Sequence, residues 1–178
     1  TINVTGSGDF ELNIAEAQLG GNAIVGSVVA AKIDASGHTG ALTVDVGTAN
    51  IEHFSAKNWT GVDKIKVITD DSTSVDTAII DVASGTEVIL AGIESSDNTV
   101  TIDPNGTASG ETLTVTLNNA TAGSNIAFTT LTTDGFETLT INSTGTDSSS
   151  TVVKNSILNV DGLSTDTTLL LTGDKKLT

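Results

Sequence analysis

Phe54-Ser-Ala-Lys-Asn-Trp59-Thr-Gly61-Val62-Asp63-Lys-Ile65-Lys-Val67 recurs 74 residues downstream, without a gap, as Phe128-Thr-Thr-Leu-Thr-Thr133-Asp-Gly135-Phe136-Glu137-Thr-Leu139-Thr-Ile141. Each copy reads Phe, six residues, a Gly-apolar-acidic triplet, then a segment in which apolar and polar residues alternate. Gly92-Ile93-Glu94 is a third such triplet and Asn50-Ile51-Glu52 a weaker fourth. Alternation with a period of two is the mark of a strand with one buried face. Its recurrence at a long fixed offset predicts β-units that bury their apolar edges against one another.

Working outward, alternating segments bounded by Gly, Asn, Asp and Ser run from Ile2–Thr5 to Lys176–Thr178 at a spacing of roughly 10–12 residues. The ends share a second theme. Val4-Thr-Gly-Ser-Gly-Asp-Phe-Glu-Leu12 and Leu171-Thr-Gly-Asp-Lys-Lys-Leu177 both read strand, Thr-Gly turn, returning strand. Ala15–Leu19 reads as barely a turn of helix, and the Ala/Val-rich stretch Ala23–Ile33 as a strand. The expected fold is all-β, with repeated units forming a solenoid-like or two-sheet stack; a Greek-key sandwich is the alternative, and the long offset favours the stack. No linker divides residues 1–178, so they read as a single β-repeat module. The chain opens and stops in mid-pattern and has no initiator Met, and is expected to be a fragment of a longer chain.

Composition removes whole classes of chemistry. The 178 residues carry 22 Asp and Glu against 7 basic residues, all Lys, for a net charge of −15. Nucleic-acid binding is excluded on that balance, because phosphate affinity comes from Lys and Arg displacing counterions. There is no Cys, hence no disulfide framework, thiolate nucleophile or Cys-based metal site. No apolar run reaches the roughly 18–20 residues that cross a bilayer as a helix, so membrane insertion is not expected. A hydrophobic content of 37% and a mean hydropathy of +0.13 argue for a folded chain despite 31 Thr, 17 Ser and 18 Gly.

Gly135-Phe-Glu-Thr-Leu-Thr-Ile141, the Ser/Thr/Asp turn after it, Ile157-Leu-Asn-Val160 and Leu169-Leu-Leu-Thr-Gly-Asp-Lys-Lys-Leu-Thr178 together resemble a recurring block of bacterial surface-layer (S-layer) proteins. The kind in question is type I-secreted and contains RTX repeats; giant repeat adhesins are related. Ile33-Asp-Ala-Ser-Gly-His-Thr-Gly-Ala-Leu-Thr-Val44 resembles another block of the same proteins. The resemblance implies export to the cell surface, self-assembly with like subunits, possible contact with cell-surface polysaccharide, and ordering by calcium. The RTX nonapeptide itself is absent, and Gly6-Ser7-Gly8-Asp9 is the nearest approach to it.

Calcium takes about six to eight oxygen ligands, which acidic turns supply when they fold back. The densest candidate is Asp70-Asp71-Ser72-Thr73-Ser74-Val75-Asp76, giving Asp70, Asp71 and Asp76 as candidate metal ligands. Asp9 follows, then Asp97 with Asp103 and Asn105. Against this stands the ordinary use of Asp and Asn in turns, where the side chain bonds the local backbone. Close packing of like charge at −15 favours uptake of a divalent ion. His38 lies in a turn signature, Ser-Gly-His-Thr-Gly, and His53 on a strand; no His pair or Gly-x-Ser-x-Gly elbow accompanies them, and catalysis is not expected. An acidic hydrolase would need two carboxylates about 5–9.5 Å apart across a cleft. Trp59 is either a sugar-stacking platform or a plug at the edge of the stack, and its aligned counterpart Thr133 favours the plug. The expected function is that of a structural S-layer module building an extracellular lattice with calcium; an adhesin or fibre module binding a host or glycan ligand is the alternative.

Overall fold

A computed structural model describes residues 1–14, 31–47, 53–68, 77–92, 99–106 and 108–178. Within them the chain is all strand. In order these are β1 (Ile2–Gly6), β2 (Phe10–Asn13), β3 (Ile33–His38), β4 (Leu42–Asp45), β5 (His53–Ser55), β6 (Trp59–Thr60), β7 (Lys64–Val67) and β8 (Thr77–Val82). There follow β9 (Glu87–Leu90), β10 (Thr99–Pro104), β11 (Thr112–Leu117), β12 (Ala127–Thr132), β13 (Thr138–Ser143), β14 (Lys154–Asp161), β15 (Thr168–Gly173) and β16 (Lys176–Leu177). No helix among the described residues is long and apolar enough to cross a membrane.

The strands wind into a parallel β-solenoid. One sheet stacks β5, β8, β10, β12, β14 and β16, the opposite sheet stacks β2, β4, β7, β9, β11, β13 and β15, and β1, β3 and β6 form a third, smaller sheet. Every pairing is parallel, so the Greek-key alternative, built on antiparallel neighbours, does not form. Register explains the sequence repeat. Lys64 pairs with Glu87, Glu87 with Thr114 and Thr114 with Thr140, so three turns separate the two Gly-apolar-acidic copies over 76 residues. The 74-residue offset differs from this by two, which keeps every side chain on the same face.

Stacking turns the alternation into columns. Val44, Ile65, Val88, Val115 and Ile141 lie in register, at most 1% exposed, each burial contributing about 1.5–3 kcal/mol. Outward residues form a polar ladder across the same strands. Lys66 meets Asp45 at 2.6 Å and Lys64 meets Glu87 at 2.9 Å. Thr116 donates to Glu87 at 2.5 Å, Asn142 to Thr116 at 3.4 Å and Thr172 to Asn142 at 3.3 Å.

Trp59 is the plug. It is buried, stacks on Phe54 with centroids 5.6 Å apart, and donates its indole N–H to Ala31 O at 2.9 Å. It sits at the bend through Ala56–Asn58, where β6 joins the small sheet and β5 the larger one. One expectation needs correction. His38 ends strand β3, paired with Gly6, because backbone pairing carries the strand through the residues that look like a turn. The similar Thr-Gly turns at the two ends each join two strands as expected, β1 to β2 and β15 to β16, one leading into the seven-stranded sheet and the other out of it. Their likeness is local, since Gly6 and Gly173 both need positive φ, 122° and 109°. The stretch Ala15–Leu19 lies outside the described residues, as do residues 23–30 of Ala23–Ile33, whose last residue begins β3.

Candidate functional site

Acidic residues at the corners do structural work. Gly61, at φ 72°, turns the chain so tightly that a Cβ there would lie 2.7 Å from Ala35 O. Asp63, two residues on, accepts the N–H of Leu42 in the preceding turn at 2.7 Å. Three turns later Glu137 accepts the N–H of Glu111 at 2.6 Å, while Phe136 between Gly135 and Glu137 is buried. The triplet is therefore a corner device: glycine turns, the apolar residue anchors, and the carboxylate satisfies a backbone donor that the corner leaves unpaired.

Asp9 belongs to the same class. It precedes β2 and accepts the N–H of Ala41 at 3.0 Å. Asp70, Asp71, Asp76 and Asp97 lie outside the described residues. Asp103 is on β10, and Asn105 just after it donates its backbone N–H to Val82 O at 2.8 Å. Among the described residues no three acidic or imidazole groups converge tightly enough to hold a metal ion.

The stack nevertheless brings together carboxylates that are far apart in sequence. Burial pushes the Asp103 carboxyl above its ordinary range, and the charges of Asp134 and Asp81 push it further. Asp81 adopts φ 59°, a conformation non-glycine residues seldom take, and Ser55 donates to it at 2.5 Å. Asp81 and Asp134 went unread in the sequence because nothing local links them; only parallel register lines up positions 22 and 31 residues apart. The three like charges repel one another.

The most open chemistry lies at the two ends of the solenoid. The seven-stranded sheet carries one inward column from Leu12 through Val44, Ile65, Val88, Val115 and Ile141 to Leu171. Its interior members are sealed, whereas Leu171 is 63% and its neighbour Leu169 40% exposed. At the other end Phe10 is 48% exposed beside a hollow of about 510 Å³ lined by Ile2, Val4, Leu12 and His38. Both ring nitrogens of His38 are buried with no hydrogen-bond partner among the described residues. Among the described residues, strand β15 pairs with β13 alone and strand β2 with β4 alone. No family model, no curated protein and no solved structure matches this chain.

Proposed function

We propose that the chain is a structural module of a bacterial surface layer, whose work is self-association into an extracellular lattice rather than catalysis. The observation that carries this reading is the parallel stack of repeated β-units, a rigid, extended scaffold with no convergent catalytic constellation among its described residues. Its outward faces are laced by ion pairs and hydroxyl ladders, which favours a rigid unit suited to a structural role.

Ordering by calcium belongs to the same proposal. It is supported by the net charge of −15 and by the repulsion along Asp81, Asp103 and Asp134, which a divalent ion relieves. Electron microscopy and sedimentation velocity, each with EDTA and with millimolar Ca²⁺, test both parts. The expected outcome is ordered assemblies that grow with calcium. A protein that stays monomeric at every concentration in both buffers overturns the structural reading, and assembly indifferent to EDTA overturns the calcium part alone.

A further inference from the structure

Asp103-Pro104-Asn105-Gly106 carries β10 into the corner that leads to β11. Strands β8 and β12 flank β10, so this corner has a turn of the stack on either side of it. Asn105 is the one asparagine of 13 that is followed by glycine. That pairing leaves a carboxamide open to the next backbone nitrogen, because glycine has no Cβ to block the approach. Asp134-Gly135 and Asp161-Gly162 stand at the same corner of the next two turns, and the stack treats the three glycines differently. A Cβ on Gly135 would lie 3.0 Å from Pro104 Cγ and one on Gly162 2.8 Å from the Asp134 nitrogen, whereas one on Gly106 would meet nothing within 4 Å. Asn105 and Gly106 are both exposed, and the Asn105 carboxamide has no hydrogen-bond partner among the described residues. Only the backbone is held, the Asn105 N–H donating to Val82 O at 2.8 Å and the Gly106 N–H to Pro104 O at 3.1 Å. Asn142 and Asn155, each followed by serine, are tied into the outer ladder and the interior.

We propose that Asn105 is a site of spontaneous modification, where the carboxamide cyclises with the Gly106 nitrogen and water opens the ring to aspartate and isoaspartate. In the first step the Gly106 nitrogen releases its bond to Pro104 O and bonds to Asn105 Cγ. The Cγ–Nδ2 bond breaks, and ammonia leaves with the proton that the Gly106 nitrogen gives up. In the second step water adds to one of the two ring carbonyls. Opening at Cγ leaves aspartate; opening at the backbone carbonyl leaves isoaspartate, with the chain running through the former side chain. Either product adds one carboxylate, taking the net charge one beyond −15. It arrives beside Asp103, whose carboxyl is already pushed up by burial and then by Asp134 and Asp81. No Lys or His lies between Lys66 and Lys154 to offset it. Older molecules therefore carry more negative charge than new ones at a corner where acids already repel. This chemistry is independent of self-association and needs no enzyme.

The test is incubation of the folded protein at neutral and at alkaline pH, followed by isoelectric focusing and by peptide mapping with tandem mass spectrometry after pepsin digestion. One added negative charge per chain is expected, located at Asn105. It is expected to form at least about tenfold faster there than at any other asparagine, a barrier lower by about 1.4 kcal/mol. Conversion is expected to quicken at alkaline pH, where the Gly106 nitrogen loses its proton more readily. Asn105→Gln, which would need a larger ring, is expected to keep its charge under the same conditions, with circular dichroism checking that it remains folded. A folded wild type that keeps its carboxamide at Asn105 overturns the proposal; loss in urea alone then shows that the fold protects the pair. So does conversion that falls equally on Asn142 or another asparagine, or an equal yield of acidic species from Asn105→Gln.

Discussion

Asn155 makes four side-chain hydrogen bonds in the interior, and its removal has a calculable effect. It is fully buried at the second residue of β14, where three turns meet. Its Oδ1 accepts the N–H of Ile126 at 2.8 Å, and its Nδ2 donates to Thr144 O at 2.9 Å and Ser143 Oγ at 3.0 Å, with Leu117 O more distant at 3.4 Å. In Asn155→Ala the Ile126 N–H becomes a buried donor without a partner, costing about 1–3 kcal/mol. Ser143 keeps its bond to Lys176 O at 3.4 Å, and Thr144 is only half-buried, so these add about 1 kcal/mol together. The expected loss is about 2–4 kcal/mol, a fall in melting temperature of roughly 5–15 °C for a chain of this size.

Asn155→Asp separates hydrogen bonding from shape. The acceptor for Ile126 survives, but an ionised carboxylate would face the carbonyls of Thr144 and Leu117. Its folded pKa is therefore raised above the unfolded value, so the folded state binds the extra proton and stability falls as pH rises through that window. Urea unfolding at pH 4 and pH 7, followed by circular dichroism, with amide exchange at Ile126 as the local probe, distinguishes the cases. The Asp variant is expected close to wild type at pH 4 and well below it at pH 7. An Ala variant within about 0.5 kcal/mol of wild type refutes the reasoning, as does an Asp variant with no pH dependence relative to wild type.

Three further outcomes follow from other residues. Asp103→Asn is expected to stabilise the fold at neutral pH. Because the Asp103 pKa is raised in the folded state, wild-type stability falls as pH climbs from the ordinary carboxylate value through the folded one, and a urea midpoint series should show that slope flattened in the variant. Thr133 is fully buried with its hydroxyl unpartnered, so Thr133→Val is expected to be neutral or to stabilise by up to about 1 kcal/mol, while Thr116→Val, which loses the bond to Glu87, costs about 1–2 kcal/mol in the same denaturation assay. Gly173→Ala sets a Cβ against Ser143 O at a backbone angle disfavoured for alanine; it is expected to free the β15 edge at a cost of about 1–3 kcal/mol, read as faster exchange of the Thr168 amide, which bonds Glu137 O at 2.7 Å.

Lys175 ties the segment after β15 to the preceding turn by bridging to Asp147 at 3.0 Å. The Asp147 carboxyl is held below its usual range first by the N–H of Val153 and then by Lys175.

Much of the fold was legible in the sequence because strand formation and repetition are local and periodic properties. Alternation of Thr or charge with Val, Ile and Leu specified strands over β7, β9, β11 and β13, and the Phe54 and Phe128 copies revealed that they stack. The direction of pairing was not legible: alternation is the same in a parallel solenoid and an antiparallel sandwich, and only the connection between sheets decides which forms. The roles of the acids divided along the same line. That Asp63 and Glu137 recur could be seen in the chain, but that they satisfy the backbone of the preceding turn depends on which turn lies beneath. The row of Asp81, Asp103 and Asp134 and the network around Asn155 join residues whose separations share no fixed period, because the turns differ in length. The sequence by itself determined which residues face inward, since that depends only on a period of two. Only the tertiary structure decided which inward residues lie above one another, because parallel register rather than spacing along the chain brings Val44, Ile65, Val88, Val115 and Ile141 into one sealed column.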